Sequence, residues 1–361
     1  MYEDGEPRNR LPMWSIIAAI FFGAGSLWVG TQGLEIAFGN GANDNGAKVA
    51  RSSDQIHPIH PTQTANILDT AGTFIQKTIS TIQLPSPSTT VLIGGDIMLD
   101  RRIRYIGTKK GYDYLFSSVT PLFRTADVVI ANLEGPVTTN PSKTLLPSGV
   151  TTDNMSFTFA PSSVQALSNA GITAVSLANN HEDNFGAAGV AETKQWLAKS
   201  GVQWFGSPWN VGSSSLVVNS KGMKIAFVGY HSFQSGIENV LADIKRLSAD
   251  GDFVIVMPHW GPEYVSEPTI KMRDDARRFV AAGAKAVIGS HPHVIMSNET
   301  IAGVPVYYSV GNLIFDQYFS DTVLNGEIVS LKLVNGPAGP SLDSILVYGT
   351  KLDRDKGVVL K

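Results

Sequence analysis

The sequence predicts an α/β domain over residues 89–361, and two observations carry that prediction. Short apolar runs alternate with amphipathic helical stretches, and almost every run ends in a polar side chain able to bind a metal. The runs are VLIGGD, DVVIANLE, AVSLANNH, KIAFVGYH, DFVIVMPHWG, AVIGSHPHV and VPVYYSVGN. Apolar stretches this short, without polar alternation, suit strands buried on both faces. Between them, apolar spacing predicts helices over Ser162–Ala170, Ala187–Lys199, Ile237–Ala249 and Thr269–Ala282, giving the strand-then-helix rhythm of an α/β fold. EIVSLKLV and SILVYGTK follow without a helix between them and read as a strand pair that finishes a sheet.

The first 88 residues differ. No charged residue occurs from Leu11 to Trp28 and beyond until Glu35, and a helix over 11–34 would span about 36 Å, enough for a hydrocarbon core. Trp14 and Trp28 stand near its ends, and Arg8 and Arg10 precede it. The positive-inside rule then places residues 1–10 in the cytoplasm and the remainder outside a cell membrane, single-pass. A cleaved signal peptide would have a shorter apolar region and a small-residue cleavage site. Residues 35–88, with GNGANDNGAKVARSSDQ and TIQLPSPSTT, have linker composition. His57 and His60, each before a proline in this polar tract, read as linker residues.

Composition narrows the chemistry. The formal charge of −3 argues against nucleic acid as the main ligand. There is no cysteine, which excludes disulfides, thiolate zinc sites and cysteine nucleophiles. A metal must be held by His, Asp, Glu or Asn, a set suited to Zn, Mn or Fe.

The strand-end residues are Asp96, Asn132, Glu134, Asn180, His181, His231, His259, His291, His293 and Asn312, and they include five of the seven histidines. In open α/β sheets such positions converge on one crevice. Pro292 is expected to hold His291 extended, so that both flanking imidazoles face one site; the alternative is a turn with one exposed histidine. His259 is the ligand candidate of PHWG, and Glu263 a loop residue behind it. His231 is either a site-lining residue or a simple strand-end histidine. No GxSxG elbow and no Walker or dinucleotide fingerprint is present.

Six ordered blocks, GGDIMLDR, ANLEGPV, SFTFAPSSVQALSNAGITAVSLANNHEDNFG, MPHWGPEY, GSHPHV and YSVGNLIFDQ, carry a resemblance that covers Thr89 to Tyr318. The chain resembles the CapA family of capsule and poly-γ-glutamate synthesis proteins, in the calcineurin-like metallophosphatase superfamily. The resemblance implies a four-layer α-β-β-α sandwich and two divalent ions. It implies Asp96, Glu134, Asn180, His259, His291 and His293 as ligands, with Glu134 as the bridging carboxylate, and His181 as the neighbouring acid. Asn132, Arg101, Asp183, Asn184 and Asn312 would line the site; His231, outside the motif, is a site-lining candidate by position alone. Met98 stands where many metallophosphatases have a ligand histidine, a substitution usual in this family. Asn184 occupies the family's usual Asp position, with Asp183 one residue early, which leaves the orientation of His181 open. Two functions follow as expectations: metal-assisted hydrolysis of a phosphoester or related bond, or non-catalytic binding of an anionic polymer beside membrane synthase subunits.

Overall fold

The computed structural model describes residues 87–361, apart from 144, 147–148, 151–153 and 212–214. The expected cytoplasmic tail, the membrane helix over 11–34 and almost all of the linker lie outside the described residues. Among the described residues, no helix is long and apolar enough to cross a membrane.

Two sheets dominate. The larger has eight strands, seven of them in the order β16 (Gly357–Leu360), β15 (Gly339–Asp353), β14 (Asn325–Gly336), β1 (Ser88–Ile97), β2 (Val128–Leu133), β5 (Ala174–Ser176) and β6 (Gln203–Phe205). The eighth, β13 (Asn312–Ile314), pairs in parallel with the end of β1, while β14 pairs antiparallel with its beginning. β1, β2, β5 and β6 are parallel. The second sheet has six strands: β11 (Asn298–Ile301), β12 (Val304–Tyr307), β10 (Ala286–Ile288), β9 (Phe253–His259), β8 (Met223–His231) and β7 (Leu216–Ser220). Its four central strands are parallel and its two edges antiparallel. A small ribbon, β3 (Leu145–Leu146) with β4 (Gly149–Val150), stands apart.

The period-2 geometry of a strand explains why these runs are apolar throughout. Along β1, Val91 and Ile93 enter the core between the sheets, while Leu92 and Ile97 enter the core under the helices. β2 repeats the division, with Val128 and Ile130 facing one way and Val129, Ala131 and Leu133 the other. In the second sheet Ile225 and Phe227 meet the first sheet, and Ala226, Val228 and Tyr230 meet helices. Helices Arg101–Lys110, Pro161–Ala170 and Gly186–Lys199 cover the larger sheet through residues such as Ile103, Leu167 and Leu197. Helices Ile237–Ala249 and Ile270–Ala282 cover the smaller through Ile244 and Phe279. The four helices predicted from apolar spacing have bounds within a residue of those expected, and caps mark two of them. Thr269 accepts from the Met272 amide, and Gly171 and Gly283 end their helices with φ of 98° and 115°.

Register places the polar residues. Asp96 is paired with Asn132 on one side and Asn312 on the other, and Asn132 with Ser176. In the second sheet His231 is paired with His259, and His259 bridges to Ser290. Parallel strands bring these positions to the same edge of each sheet. A Cβ on Gly95 would stand 1.8 Å from the Gly311 carbonyl oxygen, so β1 meets the segment before β13 as bare backbone immediately beside Asp96. Gly95→Ala is therefore expected to force these strands apart, costing about 1–3 kcal/mol, read as a lowered urea midpoint with unchanged slope. An unchanged midpoint would contradict the close approach.

Candidate metal centre

Six side chains from both sheets meet where their parallel strands end. Asp96, Glu134, His259, His291 and His293 are each at most 5% exposed. Asn180, half-buried, points its Oδ1 at His259 Nε2 from 2.8 Å. Two sets of potential ligand atoms lie within 4.8 Å of one another: Asp96, Glu134 and His259, and Glu134, His291 and His293. Glu134 belongs to both.

The surrounding bonds orient these groups. Asp96 Oδ1 accepts from Asn132 Nδ2 at 2.7 Å, and its Oδ2 accepts from the His291 amide at 3.1 Å. His293 Nδ1 lies 2.9 Å from Asn312 Oδ1, so a proton on Nδ1 leaves the Nε2 lone pair directed toward Glu134 Oε1, 3.6 Å away. His259 Nδ1 faces Ser290 Oγ at 3.0 Å, while its Nε2 lies 3.0 Å from His291 Nδ1 and 3.9 Å from Glu134 Oε1. Asn179, fully buried, donates to Asn132 Oδ1 and the Leu133 carbonyl and accepts from the His181 and Glu182 amides, tying two strand ends together.

Glu134 is the exception. Neither of its oxygens has a hydrogen-bond partner among the described residues, and the side chain has no exposed surface. Burial, and then the Asp96 and Glu263 carboxylates, push its carboxyl well above the usual range. Burial also depresses the imidazoles: His259 falls well below its ordinary value, reinforced by repulsion from His291, and His291 falls to about 3. Asp96 is also buried, yet its hydrogen bond and charge contact with His293 and the donors on its oxygens hold it below the usual carboxylate range. Buried imidazole nitrogens converging on an unpartnered carboxyl form a set of ligand atoms that a divalent cation would satisfy. This donor set fits the metal implied by the residue chemistry.

His291 and His293 reach the cluster differently from the expectation. Their φ angles are 95° and 58°, so the segment is a strained turn rather than extended backbone. The turn still brings both imidazoles to the cluster, and it frees the His291 amide for Asp96. Met98, where a histidine is common in the superfamily, is fully buried and its sulfur accepts from the Asp100 amide at 3.1 Å.

His181 stands beside the cluster at the wall of a cavity of about 500 Å³. Its Nδ1 is 3.3 Å from Asn184 Oδ1, and its ring packs 4.3 Å from Phe157. Asp183 accepts from Trp209 Nε1 instead. Burial lowers His181 to about 4, against the Asn184 contact. His231 is buried: its Nδ1 lies 2.7 Å from the Pro208 carbonyl, its Nε2 has no hydrogen-bond partner among the described residues, and its ring is 6.2 Å from that of His259. Arg101, also buried, is paired with Asp316 and sits between Phe157 and Phe315. Sequence reasoning missed Ser290 and Asp316; Glu263, expected to stand in a loop behind His259, does lie in a loop and lines the cavity.

The family profile described as "Bacterial capsule synthesis protein PGA_cap" matches residues 90–317. "Capsule biosynthesis protein CapA" of Bacillus anthracis is 29% identical over 276 residues, covering 70% of this chain and 66% of that one. "PGA biosynthesis protein CapA" of Bacillus subtilis (strain 168) is 29% identical over 246 residues, covering 63% of each. The matches thus span just under two thirds of these relatives' lengths. A solved calcineurin-like phosphoesterase, YfkN from Bacillus subtilis, aligns with 74% of this chain and 91% of its own, at 14% identity and a TM-score of 0.48.

Two outcomes follow from the electrostatics. A raised Glu134 pKa favours the native state below the unfolded value near 4.5, and that contribution is lost as pH rises through the native value. In metal-free protein Glu134→Gln should therefore raise the thermal midpoint at pH 7.5, with a gain that shrinks toward pH 4.5. A loss at neutral pH would contradict the unpartnered carboxyl. Asn184→Asp should raise the His181 pKa by about 1–2, read by NMR titration of the imidazole, because a carboxylate supports the imidazolium. An unmoved titration would remove Asn184 as its orienting group.

Proposed function

The chain belongs to the bacterial capsule synthesis protein family PGA_cap, and on that premise we propose that it is a membrane-anchored hydrolase of capsule or poly-γ-glutamate biosynthesis. In this reading residues 1–10 are cytoplasmic, 11–34 cross the membrane, 35–88 are a spacer, and 89–361 act outside the cell on an anionic substrate. The uncharged run after Arg8 and Arg10 supports that topology.

The observation that carries the catalytic reading is Glu134, buried without a partner and shared by both ligand sets. Asp96, Glu134 and His259 would hold one divalent ion, with Asn180 beside His259, and Glu134, His291 and His293 a second, with Mn, Fe or Zn suiting the donors. Bound there, the ions would polarise a phosphoryl or carbonyl oxygen and supply a nucleophilic water at neutral pH. His181 protonates the leaving oxygen. With its Nδ1–H turned to Asn184 Oδ1, its Nε2 gains a proton only in the imidazolium, which an anionic substrate favours against the burial that holds the ring neutral, and Nε2 then donates that proton. Arg101, held by Asp316 and two phenyl rings, forms part of the cavity wall beside His181.

A second reading has its own support. An amide, not a carboxylate, faces His181, and the ring stays neutral down to about pH 4, which suits binding and guiding of an anionic polymer for membrane synthase subunits. Turnover separates the two. Purified full-length chain loaded with Mn is expected to hydrolyse bis(p-nitrophenyl) phosphate, His291→Ala to abolish this, and His181→Ala to reduce kcat by about 10²–10⁴. Absence of turnover with every divalent metal, alongside polymer binding, would favour the accessory role.

A further inference from the structure

The cavity is far larger than one reacting group requires. Its 500 Å³ matches the volume of roughly sixteen water molecules. It is lined by His181, His293 and Glu263, of which His293 belongs to the metal cluster, and by Arg102, Tyr318 and the exposed Arg354.

The arginines are not equivalent. Arg101 is buried and its charge is met by Asp316, so it is part of the wall. Arg102 follows it on the same helix but reaches the mouth, where its Nε donates to the Arg354 carbonyl at 3.1 Å. Its acidic partner, Asp355, lies 3.3 Å away with a side chain that is 76% exposed, a pairing that solvent screens. Arg354 lies with its guanidinium 4.8 Å from the Tyr318 ring centre and donates to the Tyr318 carbonyl at 3.5 Å. Arg354 forms no salt bridge to a carboxylate among the described residues. The Tyr318 hydroxyl, buried in this wall, has no hydrogen-bond partner among the described residues. Two guanidinium groups held by a backbone carbonyl and an aromatic face are pre-oriented at little further entropic cost, and their planar forks match carboxylate or phosphate oxygens.

We propose that Arg102 and Arg354 form a second anion subsite at the cavity mouth. The ligand is then an extended oligoanion, with one negative group at the metal cluster and another at the arginine pair. The inference rests on the reading in which the cluster receives an anionic group. It makes the mouth, rather than the metals, the part that distinguishes a chain of anions from a single one.

The test measures dissociation constants for the Mn-loaded full-length chain with inorganic phosphate, tripolyphosphate and a short oligo-glutamate. The wild type should bind at least one oligoanion more tightly than inorganic phosphate. Arg354→Ala and Arg102→Ala should each weaken that oligoanion about tenfold and leave inorganic phosphate unchanged, and Arg354→Lys should restore only part of the loss. A response confined to tripolyphosphate identifies a polyphosphate ligand, one confined to oligo-glutamate a polycarboxylate, and a response to both a site that reads charge alone. Equal weakening of phosphate and oligoanion, or weakening of neither, overturns the subsite. A wild type that fails to bind inorganic phosphate, yet loses oligoanion binding in Arg354→Ala, removes the metal-bound anion and leaves the subsite standing.

Discussion

A carboxyl group with no exposed surface and no hydrogen-bond partner is costly, and the fold is arranged to keep Glu134 in that state. Its neighbours could have satisfied it with donors. Instead Asn132 donates to Asp96, Asn179 donates to Asn132, and the His291 amide donates to Asp96, so the nearby amide donors are committed elsewhere. What faces Glu134 is imidazole nitrogen, from His259 and His293, and burial holds His259 well below its ordinary basicity. A divalent cation would resolve the conflict among these groups. That is why the site reads as a metal centre rather than as a buried hydrogen-bond network.

The parallel strands create the conflict. Their register aligns Asp96 with Asn132 and Asn312 in one sheet and His231 with His259 in the other, and the bare backbone at Gly95 admits the approach of Gly311. Glycine there serves the site as much as the core. The strained turn at His291 and His293 is a second local cost, and it places two imidazoles and one amide around Asp96.

Much of this was legible in the sequence, and the reasons are specific. Strands buried on both faces leave unbroken apolar runs, and capped helices leave bounded periodicity, so the α/β rhythm and the helix limits could be read. The ligand candidates could be read because each follows an apolar run. Backbone strain could not: Pro292 pointed to an extended segment, and nothing in GSHPHV signals a φ of 95° at His291. Asp316 and Ser290 act across long sequence separations, and their partners depend on sheet order, which local spacing does not encode. Asn184 was visible as a departure from the family pattern, but only its distance from His181 shows that the amide takes the orienting place.

The central claim is that Glu134 is shared between two cations. Elemental analysis of the full-length chain, purified without added metal, tests it most directly. Two equivalents of Mn, Fe or Zn per chain, reduced to one in Asp96→Ala and abolished in Glu134→Ala, are the expected result; a folded chain that holds no divalent metal, or retains both ions without Glu134, would contradict it.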